Sequence, residues 1–393
     1  MYDLVIAGGR LVDPASGVDE KMDVAISGGR VAEVSRSISP ERGRRHIDAS
    51  GRVVSPGLID IHTHVAHDVV RLGIDPEELC LPYGATTVAD AGSTGELNFT
   101  PFKRYVIERC QTRIFAFVNV ESLGMVEFDD SPANTDQRWP SLITAVDDQL
   151  APLFANGKNL VSLLRRNRAS VVGIKWAHHG FRLLEIAREV ADEAPCRIMA
   201  ENHFMPEALR LLKKGDIVTH AYHFTPNRVN GRRDGLTEDG LKIHPEVFKA
   251  VRRGVLLDVG HGKGSFTWRV SSLALKEGLP PDTISTDLWI GNVDGPVFDM
   301  PTTMSKFLHL GMKLEDVIAA STSRPAEALG RRAGGLGTLK PGAPADVAVM
   351  TILEGRHPLI DAHGVGKMAE RRIVVTDVVK GGRAVKAGPL RSA

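Results

Sequence analysis

Two histidines, His62 and His64, close the segment Pro56-Gly57-Leu58-Ile59-Asp60-Ile61-His62-Thr63-His64. Val53, Val54, Leu58, Ile59 and Ile61 form an apolar run that reads as a buried strand. In a strand, residues i and i+2 face the same side. Two imidazoles at its end could therefore hold one metal ion. A lone His-x-His also ends edge strands that bind nothing, so the rest of the chain has to supply further ligands. It offers them at the ends of other apolar runs. Val171-Val172-Gly173-Ile174-Lys175 ends in a lysine. Ile198-Met199-Ala200-Glu201-Asn202-His203 ends with a carboxylate and an imidazole that share a face by period two. His220 follows an Ile-Val-Thr run, with His223 at odd spacing beyond it, and Ser285-Thr286-Asp287 ends another strand-like stretch. His261 stands between glycines, which let a backbone come close to a ligand.

Such scattered residues need elements that bring them to one place. From residue 54 to about 334 the chain alternates strand-like and helix-like segments. Strands are predicted at the His-x-His run and at 85–91, 113–120, 171–176, 197–202, 216–222, 255–259 and 283–287. Helices are predicted at 75–81, 102–109, 142–166, 181–193, 206–213, 244–253, 270–277, 302–310 and 314–322, with a long polar loop over 127–140. Alternation of this kind implies a parallel sheet. Eight units in a span near the typical ~250 residues predict a closed (β/α)8 TIM barrel. An open doubly wound sheet is the alternative; it would gather polar residues at one switch point, not at many strand ends. In a barrel those ends converge on one face. Residues 1–53 and 335–393 are instead rich in short strands and Gly or Pro turns, and predict one small β-sandwich domain built from both termini. The glycines near the N-terminus are not followed by a helix, so they make no dinucleotide fingerprint.

Composition narrows the partners. With 393 residues, 42% hydrophobic and 25% charged, the chain has ordinary globular composition. A net charge of +1 argues against a polyanionic partner, and 5% aromatics show no stacking pattern for nucleic acid. Cys80, Cys110 and Cys196 are scattered and read as core thiols of a reducing compartment. No basic leader with an apolar core opens the chain, and no apolar run is long enough to span a bilayer. A cytoplasmic protein with a small-molecule substrate and no membrane or nucleic-acid partner is expected.

The His62-Thr63-His64 motif after Pro-Gly-Leu-Ile-Asp resembles the amidohydrolase superfamily. Further stretches resemble its deacetylase- and dihydroorotase-like branch, some of whose members act on acetylated hydroxy acids. These are Gly173-Ile174-Lys175, Asp258-Val259-Gly260-His261-Gly262-Lys263-Gly264-Ser265-Phe266, Asp282-Thr283-Ile284-Ser285-Thr286-Asp287, Asp294-Gly295-Pro296, Ser305-Lys306-Phe307-Leu308 and Leu339-Lys340-Pro341-Gly342. The resemblance covers nearly the whole chain. It implies a two-zinc site, with a single ion as the alternative. His62 and His64 would bind the more buried ion, and His220 the second. Lys175 would be converted by carbon dioxide to a carbamate that bridges both ions, since a lysine ammonium has only donors. Family members carry a histidine at or near Glu201. Here His203 is taken as the strand-five ligand, while Glu201 stays open as ligand or substrate contact. Asp287 would touch the first ion and act as general base, and His223 and His261 would lie near substrate.

The implied reaction is hydrolysis of an ester or amide by metal-bound hydroxide, with Asp287 moving the proton. Cyclic-amide hydrolysis, as in dihydroorotase or hydantoinase, and deamination of a heterocycle use the same attack. A metal-free scaffold is the reading from another class. Against it, His62, His64, Lys175, His220 and Asp287 all stand. Relatives often self-associate, so a homo-oligomer is expected. His178, His179, Arg228, Arg232 and Arg233 lie on predicted loops near the same rim, and a loop around Trp139 has the length to cover it.

Overall fold

The computed structural model describes residues 1–126, 151–177, 180–201, 205–224, 235–237 and 240–391. The N-terminal part forms seven strands: β1 (Leu4–Ala7), β2 (Arg10–Asp13), β3 (Val18–Lys21), β4 (Asp23–Ser27), β5 (Arg30–Ser35), β6 (His46–Asp48) and β7 (Val53–Pro56). The parallel strands follow: β8 (Leu58–Thr63), β9 (Ala85–Ala91), β10 (Arg113–Asn119), β11 (Val171–Trp176), β12 (Arg197–Ala200), β13 (Ile217–Val218) and β14 (Leu256–Leu257). The chain ends in β15 (Val347–Ile360), β16 (Gly366–Lys380) and β17 (Arg383–Val385).

The terminal strands build two sheets, ordered β5-β4-β1-β6 and β17-β16-β15-β7-β2-β3. Leu4, Ile6, Val24 and Ile26 of the first pack on Leu11, Val54, Val347 and Val349 of the second, so the two form a β-sandwich. The apolar run around the two histidines is therefore two strands and not one. β7 pairs with β15 and β2 in the sandwich, whereas β8 pairs with β9 in the barrel. The break falls at Gly57, where a Cβ would lie 2.2 Å from Thr86 Oγ1.

The barrel strands run β14-β13-β12-β11-β10-β9-β8, each parallel to its neighbour, in a curled seven-stranded sheet. The eighth predicted strand is present only as isolated bridges, Asp258 to Thr283 and Thr63 to Leu288. Backbone bonds from Val259 N to Thr283 O (3.1 Å) and from Asp287 N to His62 O (2.6 Å) still carry it across the gap. Its ladder is irregular for a local reason. Asp287 has φ of 51°, outside the β region, and Thr283 and Ser285 spend their hydroxyls on Asp258. The α/β barrel with a sandwich from both termini thus holds, with seven regular strands in place of eight.

Inside the barrel, Ile59, Ile61, Ala89, Phe115, Phe117, Val172, Met199 and Ile217 form one apolar cluster below the strand ends. Outside, helices Gly157–Arg166 and Phe181–Glu193 bury Leu160, Val161, Leu183 and Leu184 at helical spacing. The predicted helix over 206–213 is only a 3-10 turn, Ala208–Arg210, and the one over 102–109 runs from Phe99–Phe102 into a π turn, Lys103–Ile107. The loop over 127–140 and the first part of the helix predicted from 142 lie outside the described residues. Helix Met300–His309 is buried between barrel and sandwich, and Ser305 Oγ accepts from Ile373 N at 2.9 Å. Among the described residues no helix is long and apolar enough to cross a membrane.

Candidate metal centre

The strand ends deliver a set of fully or nearly buried polar side chains to one small space. His62 and His64 end β8, with ring centroids 5.7 Å apart. His220 follows β13, and its ring centroid lies 4.9 Å from that of His62. Asp287 comes from the irregular eighth segment. Its Oδ1 lies 3.3 Å from His62 Nε2 and 3.0 Å from His64 Nε2. One ligand atom each of His62, His220 and Asp287 falls within 4.8 Å of the others. A cavity of about 40 Å³ opens beside them, lined by His64, Glu201, His220 and Asp287 with Leu72, Met125 and Trp289.

Each imidazole is aimed by its other nitrogen. His62 Nδ1 bonds Thr219 Oγ1 at 2.7 Å, and that hydroxyl donates to Asp258 Oδ2 at 2.7 Å. His64 Nδ1 bonds Ser93 Oγ at 2.9 Å, and that hydroxyl donates to Asp90 Oδ2 at 2.7 Å. The two relays have the same construction, imidazole to hydroxyl to carboxylate. His220 Nδ1 donates to Gly260 O at 2.6 Å. In all three rings the hydrogen-bond network assigns the proton to Nδ1 and leaves the Nε2 lone pair facing the cavity. Outer partners of this kind fix tautomer and orientation in metal sites.

That assignment supplies the test of fit. His64 Nε2 and Asp287 Oδ1 are both acceptors, yet they face each other at 3.0 Å. Such a contact needs an extra proton or a cation between the two atoms. The separations also match the edges of a tetrahedral zinc site, about 3.3 Å for bonds of 2.0–2.1 Å. The donor set therefore fits a divalent ion. The backbone pays for the convergence: His220 and Asp287 both hold positive φ, 56° and 51°. Asp and His tolerate this conformation better than bulky or β-branched residues do. Asn292 Nδ2 steadies the second by donating to Asp287 O at 2.7 Å.

Lys175 enters from β11 with its side chain wholly buried. Its Nζ lies 3.2 Å from His62 Nε2 and 3.5 Å from Glu201 Oε1. Gly92 makes room for its stem, since a Cβ there would come within 2.7 Å of Lys175 Cβ and Cγ. Glu201 also reaches His220, Oε1 to Nε2 at 3.5 Å. His203 lies outside the described residues, as do His178, His179, Arg228, Arg232, Arg233 and Trp139.

Two expected substrate contacts have partners within the protein. His223 turns its Nδ1 to the backbone oxygen of His220, at 3.1 Å. His261 lies one layer behind Asp287 and is fully buried. Its Nδ1 donates to Gly262 O at 2.8 Å, its Nε2 takes Lys306 Nζ at 2.6 Å, and its ring stacks on Phe266. With both nitrogens engaged it has no group left for substrate. Its loop instead shapes the site. Gly260 O orients His220, and Gly262 leaves the space that Asp287 fills, where a Cβ would lie 2.3 Å from Oδ2.

Electrostatics follow from burial and pairing. Burial alone would raise the Asp287 carboxyl, but its pairing with His62, His64 and His220 holds it well below the usual carboxylate range. Burial likewise works against Asp258, yet its proximity to His62 and the hydroxyls that Thr283 and Thr219 donate keep it lowered. Burial pushes Asp60, beneath His62, up to about 7. The relay residues Thr219, Asp258, Ser93 and Asp90 and the Lys306–His261 pair escaped the sequence reading. Asp258 and Lys306 do lie in quoted family-like stretches, but nothing local in them distinguishes a ligand's support from a core polar residue.

No protein-family model matches the chain. A deacetylase of Agrobacterium fabrum is 30% identical over 370 residues, covering 93% of this chain and 87% of that protein. A deacetylase of Enterococcus faecalis is 30% identical over 389 residues, covering 97% and 98%. Among solved structures, an adenine deaminase superposes with a TM-score of 0.82 at 29% identity, covering 98% of this chain and 100% of that one. A dihydroorotase superposes with a TM-score of 0.81 at 28% identity, covering 98% and 99%. With a His-x-His motif ending the first barrel strand, a His/His/Asp cluster at the strand ends and these full-length relatives, the chain belongs to the amidohydrolase superfamily.

Proposed function

We propose that this protein is a zinc-dependent deacetylase, removing a short acyl group from an amide or ester by hydrolysis. The observation that carries the reading is the approach of His62 and His64 Nε2 to the Asp287 carboxylate, with His220 in the same cluster, beside a small cavity. The two deacetylases, aligned along almost the whole chain, support the reaction class. Imidazole nitrogens with a carboxylate form a donor set suited to zinc. His62, His64, His220 and Asp287 would hold the ion. When bound, the ion supplies Lewis acidity and an activated water.

The chain's own residues do the rest. Asp287, kept ionised at neutral pH, takes a proton from the attacking water and returns it to the leaving nitrogen or oxygen. Leu72, Met125 and Trp289 wall the cavity with apolar surface and favour a short acyl group over a bulky one. Lys175, placed between His62 and Glu201, is assigned as the site of the carbamate, because its ammonium form has no lone pair to offer a metal.

The test is reconstitution of chelator-stripped protein with zinc, with and without bicarbonate. Turnover is then assayed on N-acyl amino acids, acetylated hydroxy acids and cyclic ureides. Zinc-dependent release of acetate is expected, with metal uptake falling when carbon dioxide is excluded. Turnover confined to cyclic ureides would replace the deacetylase reading with the cyclic-amide one. Metal uptake indifferent to bicarbonate would remove the carbamate.

A further inference from the structure

We propose that Glu201 is itself a metal ligand, acting with His220. The proposal rests on the metal-dependent reading above and deepens it. The resemblance reserves an imidazole for this strand. A carboxylate there changes both the charge and the hardness of the site.

Three observations point to it. Glu201 directly follows β12 and is only 1% exposed, so its carboxylate is held among the buried polar groups of the strand ends. Its Oε1 lies 3.5 Å from His220 Nε2. Because His220 Nδ1 donates to Gly260 O, the neutral ring turns an acceptor Nε2 to Glu201, a contact that an added proton or a cation would satisfy. The same carboxylate lines the cavity that His64, His220 and Asp287 line, so it faces the space a metal would occupy. Lys175 Nζ, also 3.5 Å from Oε1, lies between Glu201 and His62.

A purely structural role is the competing account: Glu201 would simply pair with Lys175. The two accounts differ in metal binding. The full chain, stripped with chelator, is titrated with Co²⁺ and then Zn²⁺ by equilibrium dialysis, with metal counted per chain. Glu201→Gln is expected to lose one equivalent or to weaken one site by about tenfold or more. Glu201→His is expected to restore that site with a shifted visible Co²⁺ spectrum, since a nitrogen replaces an oxygen. Should the Gln variant fail to fold, Glu201→Asp keeps the charge but shortens the reach, and the same weakening is expected. Stoichiometry and affinity equal to wild type in the Gln or Asp variant would overturn the assignment, even with a lowered Tm of the metal-free protein. Wild-type protein that takes up no metal would overturn the metal-dependent reading itself. Metal uptake that ignores Glu201 would overturn only this inference.

Discussion

Two clusters of buried charge lie at opposite ends of the barrel. At the N-terminal ends of the strands, Asp346 accepts Lys380 Nζ and Arg113 Nη1, each at 2.8 Å, and Gly381 N at 2.8 Å. At the C-terminal ends, His62, His64 and His220 gather around Asp287. In the first cluster every charge meets its opposite, and the Asp346 carboxyl, which burial would raise, is drawn down by Lys380. In the second, Lys175 Nζ meets His62 Nε2 at 3.2 Å, but His64 Nε2 and Asp287 Oδ1, both acceptors, face each other at 3.0 Å. The difference teaches that burial of charge does not by itself mark a site. Metal-ligating atoms turned on one another beside a cavity do. The first cluster clips the sandwich to the barrel, with Gly57 N also bonded to Asp346 O. The second is built to receive something.

The contrast can be broken at several points. The largest effect is expected from Asp287→Asn, which removes the proton acceptor while keeping shape. Its kcat should fall by roughly 10²–10⁴ with KM little changed, measured at zinc high enough to keep the weakened site filled. Steady-state kinetics with metal analysis checks this, and retained turnover would take Asp287 out of proton transfer. Next is Asp346→Asn, which strips two cations of their partner. A loss of about 3 kcal/mol of stability is expected, by denaturant titration, with kcat and metal content unchanged. Lost metal binding there would mean the two clusters are not separate.

The smallest effect sharpens an intermediate case. Lys306 and His261 are fully buried and mutually bonded, like the first cluster, but lie just behind the second. Burial lowers Lys306 to about 7, with Asp361 and Asp299 opposing. Its unfolded value lies near 10.5, so the unfolded chain binds more protons between pH 7 and 10 and wild-type stability rises with pH there. Lys306→Met lacks this term. Its Tm deficit should therefore grow from pH 7 to pH 10 in scanning calorimetry, and a constant deficit would refute the assignment.

Much of the site was readable along the chain because strand ends are local features. His62, Lys175, His220 and Asp287 each end a strand-like stretch, and each stretch does lead to the same rim. Other parts were not readable, for a common reason. Whether His261 faces substrate depends on Lys306, 45 positions away. Whether Glu201 reaches His220 depends on the packing of two strands whose paired stretch is only two residues long. The relays through Thr219 and Ser93 look, in sequence, like any strand hydroxyl.

What the sequence alone determined is periodic: the alternation of strands and helices, the two strand-rich ends, and the residue types at each strand terminus. Period and residue type follow from backbone geometry, which neighbours in the chain share. The tertiary structure decided direction. It split one apolar run between two sheets at Gly57, turned His261 away from the cavity and brought Glu201 into it. Those outcomes depend on which distant atoms occupy the space on each side of a residue, and no local pattern encodes that.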